Sequence, residues 1–270
     1  MELPDLAAGL NTRPGPYRLL AFDELPSTND HLRLLSREGA PEGTLVLAER
    51  QTAGRGRRGR QWVSPPGMGL WFSVLLRPSR PAREAPLFAL LAAAAVRAAV
   101  HEVTGAPAQI KWPNDVVVAD AKLAGILAEV EGPAACAACI VGIGVNVNQT
   151  AEDFPPELRG KATSARLVAG RAVPRETLLR TILQQLGPRY QQALQEGFAP
   201  LLAEVTRSSA TLGRPVSVTE AACTWEGLAV GLACDGALLV RPQGGSEPVA
   251  VYAADVSIRP APYQAGGLLE

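Results

Sequence analysis

The amino-acid sequence predicts an α/β (α+β) domain followed by a small β barrel, and three observations carry that expectation. Helical and strand periodicities intermingle as far as residue 212. From Arg214 the texture changes to short strands at regular spacing, punctuated by Asp235-Gly236 and Gly244-Gly245. The length of 270 residues suits one large domain and one small one. The expected division is an N-terminal extension over 1–16, a large domain over 17–212, the barrel over 213–262 and a tail over 263–270.

Taken in order, Tyr17 to Phe22 is a short apolar run of strand type, and Ser27-Thr28-Asn29 offers caps for a helix containing Leu32 and Leu35, stopped near Gly39. Thr44 to Ala48 is the next strand. Gln51 to Gly69 then holds five glycines, two prolines and four arginines, which no regular element tolerates, so it is a long loop that needs a purpose. Leu70 to Leu76 is a strand. Pro86 opens a helix through the Ala-rich segment to about Val103, with Gly105 as its stop. Gln109 to Lys111, Val116 to Val118, Gly125 to Val130 and Ile140 to Val147 are short strands parted by turn residues. Helical spacing returns over Thr163 to Val168 and over Pro174 to Gln195, where Gly187-Pro188 is expected to kink or break the helix. A final helix spans roughly Phe198 to Ser208. The barrel strands are Val216 to Thr219, Gly227 to Leu232, Leu238 to Arg241, Val249 to Tyr252 and Val256 to Arg259. So small a unit is expected to pack on the first domain.

Lys plus Arg and Asp plus Glu both total 26, so no global basic field exists to hold nucleic acid or anionic membrane, and any anion site must be local. The apolar stretch Pro86 to Val96 ends at Arg97, well below the roughly 20 residues that cross a bilayer. The opening MELPDLAAGLN carries acid where a signal peptide carries positive charge, which favours a cytoplasmic protein. Four cysteines, Cys136, Cys139, Cys223 and Cys234, are too few for a disulfide framework. Cys136 and Cys139 make a C-x-x-C without the second half of a zinc ribbon, and they read as two small, partly buried side chains.

The segment Gly54 to Arg60 sets four guanidinium groups, on Arg55, Arg57, Arg58 and Arg60, within six residues. Their mutual repulsion is relieved by bound anions. Arginine forks match phosphate and carboxylate, and glycines let the backbone approach a ligand. Gly54, Gly56 and Gly59 match a dinucleotide G-x-G-x-x-G, but Trp62 and Ser64-Pro65-Pro66-Gly67 follow where a helix must begin. A P-loop fails as well, because Arg60-Gln61 stands where Lys and a hydroxyl are required. A solvated basic loop or an RNA-binding Arg-Gly segment stays open on composition alone.

Lys111-Trp112-Pro113-Asn114-Asp115 lies between two strands and Lys122 begins the next, so two cations and a carboxylate could converge at one sheet end. Asn146 is an amide in an otherwise apolar strand, and once buried it must find a partner in the backbone or in a ligand base.

These residues carry a resemblance to the biotin protein ligases, also called biotin–acetyl-CoA-carboxylase ligases or holocarboxylase synthetases. Ser27-Thr28-Asn29, Gln51 with the Gly54 to Arg60 loop, Trp62, Lys111 to Asp115, Lys122 to Leu127 and Gly142 to Asn146 stand in that family's order and approximate spacing. The similarity covers Tyr17 to Arg259 and implies a mixed-sheet catalytic domain with a C-terminal domain like an SH3 barrel. It further implies that Ser27, Thr28, Gln51, Gly56, Arg57 and Lys122 hold biotin, with Asn29, Gly54 and Arg55 beside them. Arg57, Arg58, Arg60, Lys111, Asn114 and Asn146 then face ATP, Trp62 covers the adenylate, and Asp115 positions or deprotonates the acceptor lysine.

The chemistry that the resemblance implies turns on charge. Biotin's carboxylate meets the α-phosphate of ATP only where fixed cations offset the charge building on the phosphoryl oxygens, a task for the catalytic set Arg57, Lys122 and Lys111. Mg2+ is expected with the nucleotide. The expected loop ordering over Gly54 to Gly67 on ligand binding would keep water from the biotinyl-adenylate. The partner implied is a biotin carboxyl carrier protein, with a homodimer possible. The roughly 16 residues before Tyr17 cannot encode a helix-turn-helix, so no DNA binding is expected. Ala253-Ala254-Asp255 departs from the Gly-acid pair usual in the family before its last strand. A lipoate or octanoate ligase on the same architecture is the nearest enzyme alternative, and an RNA-binding module the nearest non-enzyme.

Overall fold

The computed structural model describes residues 17–132, 138–220, 223–252 and 255–258. The expectations placed on residues 1–16, Cys136, Ala253, Ala254 and the 263–270 tail lie outside them.

The chain begins with strand β1 (Arg18–Leu25), helix α1 (Thr28–Arg37), β2 (Thr44–Gln51) and β3 (Gly69–Leu76). Helix α2 (Ala85–Thr104) leads to β4 (Gln109–Lys111), β5 (Asp115–Val118), β6 (Ala121–Glu131) and β7 (Ala138–Asn146). Three helices follow, α3 (Ala165–Ala169), α4 (Arg175–Glu196) and α5 (Ala199–Arg207). The strands β1 to β7 form one sheet in the order β1-β2-β3-β7-β6-β5-β4. Only β1 and β2 run parallel, so the sheet is mixed, as expected from the resemblance.

Side-chain alternation along the strands assigns each face a different task. In β3, Leu70, Phe72, Val74 and Leu76 turn towards the main core with α2, whereas Ser73 turns the other way, onto Thr28 and Asn29 of α1. In β7, Val141, Ile143 and Val145 join that core. Gly142 and Gly144 fall on the opposite face. Gly125 pairs with Gly144 across β6 and β7, so two adjacent strands lack side chains at the same level and leave a depression there. This depression is where the site forms.

The caps act as the sequence predicts. Ser27 caps α1, its hydroxyl accepting from Asp30 N at 3.4 Å. Gly105 ends α2 in a left-handed conformation (φ 75°), which L-residues with a Cβ adopt at a cost, and its N–H donates to His101 O. Helix α2 is long and apolar enough to cross a membrane, yet Leu87 through Val96 are buried in the protein core between the sheet and α4. The break expected at Gly187-Pro188 does not occur. Helix α4 runs through both residues, because Leu183, Leu186 and Tyr190 bury on either side of the proline and their packing outweighs one missing backbone hydrogen bond.

The C-terminal strands are β8 (Pro215–Glu220), β9 (Cys223–Leu232), β10 (Leu238–Pro242), β11 (Val249–Val251) and β12 (Asp255–Ile258). They form an antiparallel sheet in the order β11-β10-β9-β8-β12. As its size predicts, this unit packs on the first. Val216, Val218, Leu238 and Val240 belong to the same continuous core as α2. Trp112 fastens the two together, its indole N–H donating to Gly236 O at 2.9 Å and its backbone N–H to Thr211 Oγ1 at 3.0 Å. Arg214 adds a two-pronged ion pair with Asp120, at 2.7 and 3.1 Å.

Candidate active site

A cavity of about 740 Å3 opens over the glycine depression. One wall is the start of α1. Thr28 N donates to Gln51 Oε1 at 2.9 Å, Gln51 Nε2 donates to Ser64 Oγ at 3.1 Å, and the Ser73 hydroxyl lies within 2.7 Å of Thr28 Oγ1 and 2.6 Å of Asn29 Oδ1. Asn29 Nδ2 donates to Glu129 Oε2 at 2.7 Å. These polar groups are buried or half-buried and mutually paired, so their positions are set before any ligand arrives. Gly142 is required beneath them, since a Cβ there would fall 2.2 Å from Asn29 Oδ1.

The Arg-Gly segment forms the roof. Sequence reasoning leaves it as an irregular loop, but the structure folds it into a small hairpin. Gly56 N donates to Arg60 O at 2.7 Å, Trp62 N donates to Gly54 O at 2.9 Å, and Arg57–Gly59 makes a 3-10 turn. Gly59 at the bend has φ 74°, which explains the glycine. Arg55 reaches across to Asp30 at 2.7 Å and Glu129 at 2.9 Å, pinning the hairpin to α1 and β6. Behind the hairpin, Glu49 accepts from Gly67 N and takes both prongs of Arg175 at 2.8 Å. Burial pushes the Glu49 carboxyl up, and the Arg175 guanidinium more than reverses this, holding it below the usual carboxylate range.

The opposite wall carries charge. Lys122 Nζ sits 2.7 Å from Asp115 Oδ1, as an ion pair whose angle is poor for a hydrogen bond, and lies 5.2 Å from the centre of the Trp62 ring. Arg57 Nη1 approaches Asn114 Oδ1 at 3.4 Å, and Asn114 Nδ2 donates to Ile126 O at 2.6 Å. Lys111 lines the same space from the end of β4. Asn146 Nδ2 donates to Thr163 O at 3.1 Å.

Of the residues singled out in the sequence, Ser27, Thr28, Asn29, Gln51, Arg55, Gly56, Arg57, Arg60, Trp62, Lys111, Asn114, Asp115, Lys122 and Asn146 all line this one cavity. Gly54 and Arg58 do not. Gly54 is buried in the hairpin, where a Cβ would fall 2.6 Å from Trp62 O, and Arg58 is an exposed residue at the bend with φ 57°. Sequence reasoning misses Gln149, Asp153, Phe154 and Lys161, which close the far side. Their segment has no periodicity to mark it. The one signal was Gln149, a polar residue close behind a buried strand. Val256 and Ser257 bring β12 of the second sheet to the rim.

Two family models match the chain, the biotin/lipoate A/B protein ligase family over residues 21–146 and the biotin protein ligase C-terminal domain over residues 211–259. The bifunctional ligase/repressor BirA of Bacillus subtilis is 36% identical over 94% of this chain and 78% of its own length. The chain belongs to the biotin/lipoate A/B protein ligase family. Within this ligase family, the biotin–[acetyl-CoA-carboxylase] ligase of Paracoccus denitrificans is 35% identical, over 76% of this chain and 86% of that protein. Among solved ligase structures, the biotin protein ligase from Aquifex aeolicus in complex with biotin and ATP superposes with a TM-score of 0.77 at 29% identity, covering 89% of this chain and 99% of that one.

Proposed function

We propose that this cavity binds biotin and ATP, joins them as biotinyl-adenylate and passes the biotinyl group to a lysine of a biotin carboxyl carrier protein. The activity is that of a biotin–[acetyl-CoA-carboxylase] ligase. The observation that carries the assignment of roles is the meeting of Arg57, Lys111, Lys122 and Asp115 around one glycine-floored cavity.

A carboxylate oxygen of biotin attacks the α-phosphorus, the bond to the bridging oxygen breaks, and pyrophosphate leaves. Two anions must approach for this, and Arg57, Lys111 and Lys122 supply the fixed positive charge that makes the approach favourable. The amide and hydroxyl groups of Ser27, Thr28, Asn29 and Gln51 suit the ureido ring, with Gly56 allowing close backbone approach. Arg60, Asn114 and Asn146 lie towards the nucleotide. Arg55 acts through the hairpin, which its two ion pairs hold in place. Among the described residues no cluster of acidic or imidazole groups could cage a metal ion. Magnesium would arrive with the nucleotide and would add to the positive charge that Arg57, Lys111 and Lys122 set around the phosphates.

In the second half-reaction the acceptor amine attacks the acyl carbon, the acyl–oxygen bond breaks and AMP leaves. The amine must first lose a proton. Asp115 is the carboxylate at hand, held beside Lys122 at 2.7 Å, where it is placed to orient or deprotonate the incoming ammonium.

The test is pyrophosphate release from ATP with biotin, with lipoate or with neither, followed by transfer of labelled biotin to a purified carboxyl-carrier domain. Release with biotin alone and transfer to the carrier lysine is the expected result. Release with lipoate instead, or none, overturns the reading.

A further inference from the structure

Gln149 follows β7 at the far end of the cavity, is only 2% exposed, and lines the cavity. A chain of hydrogen bonds decides which way its amide points. Thr163 offers a backbone carbonyl, so the Asn146 group 3.1 Å from it must be the NH2, and Asn146 Oδ1 faces the other way. That oxygen takes Gln149 Nε2 at 3.2 Å. Turning either amide over would set two oxygens, or two NH2 groups, against each other. Ser164, fully buried, fixes the backbone by donating to Gln149 O at 2.6 Å.

The outcome is that Gln149 Oε1 is buried without a hydrogen-bond partner. The Asp115 oxygen in the same condition at least faces the Lys122 ammonium. A buried amide oxygen left unmatched is costly, and proteins rarely keep one without a use.

We infer that Gln149 is a specificity residue for the nucleobase, its Oε1 accepting a hydrogen bond from the exocyclic amine of adenine. This rests on the ATP-dependent activity proposed above. Guanine carries a carbonyl where adenine carries that amine, so it would bring one acceptor against another. Hypoxanthine would do the same. Asn146, with Nδ2 and Oδ1 both engaged, holds Gln149 in orientation, and Gln149 makes the distinction.

The experiment compares ATP with purine riboside triphosphate, which lacks the amine and adds no carbonyl, and with GTP, using biotin-dependent pyrophosphate release by the full chain. For the native protein kcat/KM is expected to fall about tenfold for the desamino nucleotide and on the order of a hundredfold for GTP. In Gln149→Met the preference for ATP over the desamino nucleotide shrinks to about twofold or less, while KM for biotin stays within about twofold. A purely structural Gln149 would instead lower both nucleotides equally, leaving the ratio untouched, and that result overturns the inference. So does a native protein that uses the desamino nucleotide as well as ATP, whatever the variants do. Absence of any biotin-dependent release from ATP is a separate outcome, which removes the proposed function and the inference with it.

Discussion

The Trp62 indole rests against Gly144 so closely that a methyl group there would fall 2.6 Å from the ring. Gly125, paired with Gly144 on the next strand, stands in the same relation at 2.9 Å. Gly144→Ala must therefore move the half-buried indole, which yields more readily than the strand. We expect a melting temperature within a few degrees of native and a kcat/KM for biotin lowered at least about tenfold. A steady-state assay beside a thermal melt checks both. Unchanged kinetics would show that the ring's place over the floor does not matter.

Asp115→Asn separates the two half-reactions. The variant leaves the Lys122 side chain in the cavity and removes only the carboxylate beside it, so adenylate formation should persist within about tenfold, whereas transfer to the carrier lysine should fall by roughly a hundredfold or more. Single-turnover measurements on preformed adenylate distinguish the steps. Equal losses in both would mean that Asp115 serves only to place Lys122.

Arg57→Gly should leave the fold intact, because the hairpin is closed by backbone bonds from Gly56 and Trp62 and pinned by Arg55. The intermediate should then escape into solution. Filter retention of labelled biotinyl-adenylate is the measurement, and tight retention by the variant contradicts the role.

Glu49 and Arg175 give a pH dependence whose sign follows from the depressed carboxyl. A group held lower when folded than when unfolded contributes stability above its unfolded value, about 4.3, and loses it as pH falls through the folded value. Glu49→Gln should cost roughly 1–3 kcal/mol at neutral pH, since it leaves Arg175 half-matched in a largely buried place. The deficit should narrow below about pH 4. Urea melts of both proteins across that range test it.

Cys139 is buried, and desolvation pushes its thiol up to about 12. Exposed Cys223 and Cys234 should alkylate at pH 8, while Cys139 reacts only after denaturation. Peptide mass mapping after brief iodoacetamide treatment reads this directly.

Much of the fold was legible because its signals are local. Ser27 and Gly105 mark helix ends by cap chemistry alone, and the strand alternation in β3 and β7 sets the core face from the glycine face. What escaped depends on distance. The continuity of α4 through Pro188 is decided by Leu186 and Tyr190 finding a core, which no window of sequence contains. The cation set was visible as residue types, but that Arg55 ties down the hairpin follows from Asp30 and Glu129 lying beside it. Gln149 was missed for the same reason, since its meaning comes from Thr163 by way of Asn146.

Trp112 stands between Lys111 and Asn114, and its indole holds the turn at Gly236 of the smaller sheet. The chemistry is thus mechanically wired to a module that contributes none of the reacting groups. Exchanging that module for a relative's would disturb the reaction unless the turn that grips Trp112 came with it.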